Sequence, residues 1–205
     1  MRPALALLFL SAWISTYGWT FPDRYNKILA PGDKAPSWSN LPGTDGKPHS
    51  LAEFKDKQVL VVIFLCCSCP AVEDYEERIL DFAKKHCGPD SKVGLVGINV
   101  NTIEEDSLEN MKLRATEKKY SFPYLFDKSQ KIAKDFGAAY TPEFFVLDKE
   151  RKVVYMGAMD DRDNPTQAKE RFLEEAVLAA LEGKTPKVRE TLGRGCRIRY
   201  ERARR

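Results

Sequence analysis

Apolar residues fall along this chain in two alternating rhythms, and the alternation predicts an α/β fold. Gln58 to Leu65 reads QVLVVIFL, a nearly unbroken β-branched and apolar run that suits a central strand covered on both faces. Helical spacing starts almost at once. Val72, Tyr75, Ile79, Phe82 and Ala83 share one face, with Glu73, Asp74, Glu76 and Glu77 around the first turns. Gly88-Pro89 supplies the stop. A second buried strand is expected over Val93 to Val100, then a more polar helix over about Glu104 to Tyr120 that turns Leu108, Met111 and Ala115 inward. Phe122 to Phe126 reads as a short strand, and Asp127 with Gln130 resembles a capping box for a helix ending at Gly137. Phe144–Leu147 and Val153–Met156 form a hairpin around the charged turn Asp148-Lys-Glu-Arg151. Asn164, Pro165 and Gln167 open the last helix as cap, first-turn proline and third-position amide; it buries Phe172, Leu173, Val177 and Leu181 and stops at Gly183. Upstream, Gly43-Thr-Asp-Gly46 is turn chemistry between two short strands. This order implies a central mixed sheet flanked by helices, with a parallel portion and an antiparallel edge.

Composition changes the picture at the two ends. The 205 residues favour one domain plus tails. Ala4 to Ile14 is an apolar run behind Arg2, too short to span a bilayer, and small residues follow at Thr16, Gly18 and Thr20. That pattern is a secretory signal, with an uncleaved anchor as the alternative, and it implies export to a periplasmic, secreted or membrane-anchored location. The net charge of +3 hides an asymmetry: Gly183 to Arg205 holds nine Lys/Arg against two Asp/Glu. The body is therefore mildly acidic and the last stretch strongly basic. That stretch lacks apolar periodicity, so an irregular, mobile tail is expected.

Five cysteines are present, Cys66, Cys67, Cys69, Cys87 and Cys196, and an odd number cannot all pair internally. Cys69 sits where a buried strand hands over to a helix, so its sulfur can face the helix's unpaired N–H groups. Such placements favour thiolate over thiol. Pro70 stiffens the helix entry without removing a needed donor. Cys66 stands at Cys-x-x-Cys spacing from Cys69, and Cys67 competes for the same side of the segment. Each is a candidate partner for Cys69, and an inert core thiol is the alternative at every one of these positions. Cys87 falls in line with Tyr75, Ile79 and Ala83 and reads as core. Cys196, in Gly195-Cys-Arg197, is a candidate resolving or intermolecular thiol in the tail.

With Cys69-Pro70 at a strand–helix junction, the chain resembles the thioredoxin-like redoxins, the group containing peroxiredoxins and exported thiol oxidoreductases of the TlpA type. The resemblance is carried by Asp45-Gly-Lys-Pro-His-Ser-Leu51, by Val61-Val-Ile-Phe-Leu65 leading to Cys69-Pro70, by Tyr140-Thr-Pro-Glu-Phe-Phe-Val-Leu-Asp148 and by Tyr155-Met-Gly157. It implies a thioredoxin-like domain over 41–183, preceded by a signal peptide (1–20) and an extended segment (21–40) and followed by a basic tail (184–205). It also implies that Thr141-Pro142 is the family's cis-proline step, lying against the Cys69 sulfur with Pro70 and Thr141 around the substrate. Departures accompany the matches. Val72 stands where thioredoxins place their second cysteine; Cys66 and Val62 stand where peroxiredoxins place a hydroxyl residue and an upstream proline.

The function this implies is a thiol-dependent oxidoreductase without cofactor or metal. Cys69 attacks a protein or small-molecule disulfide or a peroxide. Cys66, Cys67 or Cys196 resolves the product, and an external thiol restores it. Two alternatives stand beside it. Cys66, Cys67 and Cys69 could hold Cu(I) in a trigonal site, or the domain could be a redox-inert module whose basic tail contacts an acidic surface. No phosphate loop, RNA-stacking motif or Ser/His/Asp arrangement is present, so nucleic acid is not an expected partner.

Overall fold

The computed structural model describes residues 25–162, 164 and 167–201. The expected signal (1–20), residue Pro165 and the terminal Arg202, Arg204 and Arg205 lie outside the described residues. Five strands form the central sheet. These are β3 (Val59–Phe64), β4 (Val93–Asn99), β5 (Tyr124–Phe126), β7 (Glu143–Leu147) and β8 (Val153–Gly157). Their spatial order is β5-β4-β3-β7-β8; β4 runs parallel to β3 and β5, while β7 and β8 add antiparallel. The short hairpin β1 (Leu41–Pro42) and β2 (Pro48–His49) closes at the predicted Gly43–Gly46 turn.

Why β3 lies at the centre follows from its side chains. Val59, Val61, Ile63 and Leu65 point into one core, against α1 (Pro70–His86), Met111 of α2 (Leu108–Glu117), and Leu173, Ala176 and Val177 of α4 (Phe172–Leu181). Leu60, Val62 and Phe64 point into the other, against Ile132, Ala133 and Phe136 of α3 (Lys131–Phe136) and against Leu29 and Trp38 of the lead-in segment. A strand with no polar face can only sit between two layers. The predicted inner face of α1 is the observed one, with Val72, Tyr75, Ile79, Phe82 and Ala83 all buried. Each of the larger side chains contributes about 1.5–3 kcal/mol of burial.

Four local expectations are corrected. The polar helix is split: Glu104–Asp106 forms a 3-10 turn and α2 starts afresh at Leu108, capped by the Ser107 side chain accepting from Asn110 N. The last helix opens at Phe172, with Arg171 before it, not at Asn164. Its apolar face begins only at Phe172. Gln130 is not half of a capping box. It takes a left-handed conformation before α3, and Asp127 and Ser129 hold the helix start, Asp127 Oδ2 accepting from Ile132 N at 2.8 Å and Ser129 Oγ from Lys131 N at 3.2 Å. The tail is irregular over most of its described length, as expected, but it is not a loose end. It crosses the body as a strap, adding β9 (Cys196–Arg197) to β6 (Tyr140–Thr141) and burying Ile198 in the second core.

Candidate active site at Cys69 and Cys196

Cys69 is the N-cap of α1, and its carbonyl accepts from Val72 N and Glu73 N at 3.0 and 3.3 Å. Its sulfur is bonded to Cys196, with the two Cα atoms 6.0 Å apart, inside the range a disulfide spans. The expectation that this sulfur faces the helix amides is corrected for the disulfide form. No side-chain capping bond is made, and Sγ instead lies 3.1 Å from the Thr141 carbonyl oxygen. A disulfide sulfur carries no proton, so this is a contact here; the reduced thiol could donate across it. Cys69 is only 1% exposed, a member of the first core that is bonded to the partly exposed Cys196.

Thr141 is the hub of the site. The Thr141–Pro142 bond is cis, as the resemblance implies. Besides the Cys69 contact, the Thr141 hydroxyl lies 3.4 Å from Cys66 Sγ, and the Thr141 backbone pairs with Cys196 in the β6–β9 ladder. Gly195 permits that pairing. Its φ is +154°, and a Cβ there would lie 2.0 Å from the Thr141 carbonyl oxygen. Glu143, next after Pro142, fixes the approach to β6 by accepting from Ala139 N at 2.7 Å and Tyr140 N at 2.9 Å. Burial raises its carboxyl to a pKa of about 7.

The segment ahead of Cys69 is held by a carboxylate that sequence reasoning missed. Asp106, fully buried, accepts from Cys67 N at 2.6 Å, Ser68 N at 2.8 Å, Ser68 Oγ at 2.8 Å and Asn101 Nδ2 at 2.9 Å. Asn101 then accepts from Arg199 N at 3.0 Å, so one network ties the Cys69 loop to the strap. Arg114 supports the same loop from outside, donating to the Cys67 carbonyl at 3.1 Å and to buried Glu76 at 2.8 Å. Tyr120 donates to the same Glu76 oxygen at 2.7 Å. The only trace of these roles in the sequence is the pair Asn99 and Asn101, polar residues closing an apolar strand. Asp106 itself is lost in an acidic run that reads as a helix start.

The remaining cysteines are free thiols in less reactive settings. Burial raises Cys66, and it pushes Cys67 up to about 11 and Cys87 up to about 12. The sulfurs of Cys66, Cys67 and Cys69 take separate partners, namely Thr141 Oγ1, Tyr124 OH at 3.9 Å and Cys196. Among the described residues no three His, Cys, Asp or Glu side chains are grouped to hold a metal ion. Cys87 is the C-cap of α1 and packs against the first core, as its spacing predicts. Among the described residues no helix is long and apolar enough to cross a membrane.

Comparison with known proteins places this geometry. The Redoxin family model matches residues 30–172. A Mycobacterium tuberculosis protein named as a peroxiredoxin is 27% identical over 142 residues, which is 62% of this chain and 83% of that protein. A hypothetical protein of Sinorhizobium meliloti is 36% identical and superposes with a TM-score of 0.76, over 84% of this chain and 96% of that one. The thioredoxin domain of a thiol-disulfide oxidoreductase from Bacteroides vulgatus shares the fold, with a TM-score of 0.51 at 22% identity over 61% of this chain and 86% of that one. The mixed sheet with its flanking helices is thus a thioredoxin-like fold, and the chain is a member of the Redoxin family.

Proposed function

We propose that the protein is an exported thiol oxidoreductase that cycles between a Cys69/Cys196 dithiol and the Cys69–Cys196 disulfide. The observation that carries this reading is the covalent pairing of a helix N-cap cysteine with a tail cysteine beside the cis-proline. In the reduced protein, two features favour Cys69 as the nucleophile: it stands at the positive end of a 17-residue helix, and Pro70 sets the helix start. The cis Thr141–Pro142 step lies beside the sulfur and would help position the substrate.

With a hydroperoxide, the Cys69 thiolate attacks the distal oxygen and the O–O bond breaks. The alkoxide leaves as an alcohol after taking a proton, and Cys69 becomes a sulfenic acid. Cys196 then attacks that sulfur, forming the disulfide and releasing hydroxide, which leaves as water with the Cys196 proton. With a disulfide, Cys69 attacks one sulfur and expels the other as thiolate, and Cys196 displaces the second. Two electrons from an external dithiol restore the pair. Exposed Arg194, Arg197 and Arg199 flank Cys196, and they would favour a reductant with an acidic face. The N-terminal apolar pattern supports export.

The test is single-turnover oxidation of the reduced protein by one equivalent of peroxide or small disulfide, followed by the loss of free thiols. Wild type loses two thiols per molecule. Cys196→Ser loses one and accumulates a sulfenic acid or mixed disulfide on Cys69. If Cys69→Ser loses thiols as fast as wild type, the proposal fails.

A further inference from the structure

The backbone edge nearest the Cys69 sulfur is β6, and an extended polypeptide reaching that sulfur would add to this edge. In this chain the edge is already occupied. Thr141 pairs with Cys196, Tyr140 pairs with Arg197, and Ile198 N donates to the Ala139 carbonyl at 3.0 Å. The strap is fastened at both ends by contacts that do not involve the disulfide. Upstream, Thr191 Oγ1 accepts from Ala158 N at 2.9 Å and meets Tyr155 OH at 2.8 Å, while Thr191 N donates to the Met156 carbonyl at 3.0 Å. Downstream, Gln130 Nε2 donates to the Arg199 carbonyl at 2.9 Å and Gln130 Oε1 accepts from Glu201 N at 2.8 Å. Tyr200 OH donates to the Ala138 carbonyl at 2.6 Å, and Asn101 holds Arg199 N. Reducing the disulfide leaves all of these in place. The bond that reduction breaks joins side chains, so it frees the Cys196 sulfur without cutting the backbone pairing of Cys196 and Arg197 with β6.

We propose that this fastened strap determines specificity: it keeps extended polypeptide disulfides off the Cys69 edge and reserves the first half-reaction for small oxidants, namely hydroperoxides and low-molecular-weight disulfides. The inference rests on the dithiol cycle proposed above. A small oxidant needs the Cys196 side chain to move aside. It then reacts by the steps already given, with the alcohol or small thiolate as leaving group. A polypeptide needs the Ala139–Thr141 backbone itself, and so must lift the strap. Each hydrogen bond that opens costs about fivefold in rate, so opening three discriminates on the order of 100-fold.

The experiment compares disulfide formation in the reduced, full-length protein with two probes sharing one reacting bond. One is bis(2-hydroxyethyl) disulfide, and the other is an unstructured peptide whose cysteine is in disulfide with 2-mercaptoethanol. Wild type reacts with the small probe on the order of 100-fold faster. In Gly195→Ala, whose new methyl cannot coexist with the Thr141 carbonyl, the ratio falls to a few-fold because the peptide reaction speeds up. Gln130→Ala with Tyr200→Phe loosens the other end and gives an intermediate ratio, which carries the test if Gly195→Ala does not fold. A wild-type ratio near one, or no acceleration with the peptide in either variant, overturns the specificity claim. Loss of the dithiol cycle itself would show separately, as Cys69→Ser consuming either probe at the wild-type rate.

Discussion

Replacing Asp106 by alanine tests whether the cysteine loop is held from below by one buried carboxylate. Four donors converge on it, two of them the backbone N–H groups of Cys67 and Ser68. Hydrogen bonds to a charged group contribute about 1.5–3 kcal/mol each, and the four share one desolvation cost, so their sum overstates the loss. The Ser68 hydroxyl and Asn101 amide can turn to other acceptors, whereas the two N–H groups cannot. Two orphaned, part-buried donors at about 1–3 kcal/mol each give an expected destabilisation of about 2–6 kcal/mol for Asp106→Ala. Asp106→Asn keeps one acceptor oxygen and should lose about 1–3 kcal/mol. A loop shifted by an ångström also slows Cys69 oxidation, on the order of 100-fold for a misplacement of that size. Urea denaturation at unchanged slope reads the first effect, and single-turnover oxidation reads the second. An Asp106→Ala protein within 1 kcal/mol of wild type that oxidises at the wild-type rate would refute the reasoning.

Three further outcomes are expected. Burial alone would lower His49, but hydrogen bonds to Asp45 at 3.0 Å and Glu53 at 2.7 Å raise it above its ordinary 6.5. The stability it adds to the β1–β2 hairpin is therefore full below pH 6.5 and lost as pH rises through the raised value. Wild type should exceed His49→Gln in stability by more at pH 6 than at pH 9, and an equal gap at both would contradict this. Glu143, raised by burial from 4.5 to about 7, contributes stability that is present below pH 4.5 and lost as pH rises through 7. That loss is roughly 3 kcal/mol, and Glu143→Gln should remove it, flattening the stability profile across this window. With Cys67 at about 11 and Cys87 at about 12, iodoacetamide at pH 8 finds a thousandth or less of either as thiolate. Mass mapping of the reduced protein should show Cys69 and Cys196 alkylated first.

The sheet was legible because its pattern leaves little freedom. A seven-residue apolar run such as Val59–Leu65 has no polar face to expose, and the helical spacing from Val72 to Ala83 shows which side of α1 faces it. The strand–helix junction then located Cys69. The reach of the tail was not legible, because neither Cys196 nor Ile198 sits in a periodic pattern. The strap is fixed by single long-range partners, Thr191 on Ala158 and Gln130 on Arg199, which no local rhythm reveals. Gln130 shows the difficulty well: its spacing from Asp127 suggests a cap, yet its side chain is spent on the strap. Which cysteine pairs with Cys69 stayed open for the same reason. Cys66 is three residues away in sequence, but the two chain directions at a strand end place its sulfur against the Thr141 hydroxyl, while Cys196 arrives from 127 residues downstream.

The most direct test of the central claim is disulfide mapping of the full-length protein after complete reduction and reoxidation with one equivalent of oxidant. Digestion under acid-quenched conditions should yield a single linked peptide pair joining Cys69 to Cys196, with Cys66, Cys67 and Cys87 recovered as thiols. A Cys66–Cys69 or Cys67–Cys69 link as the main product would contradict the account, and so would Cys69 recovered unmodified.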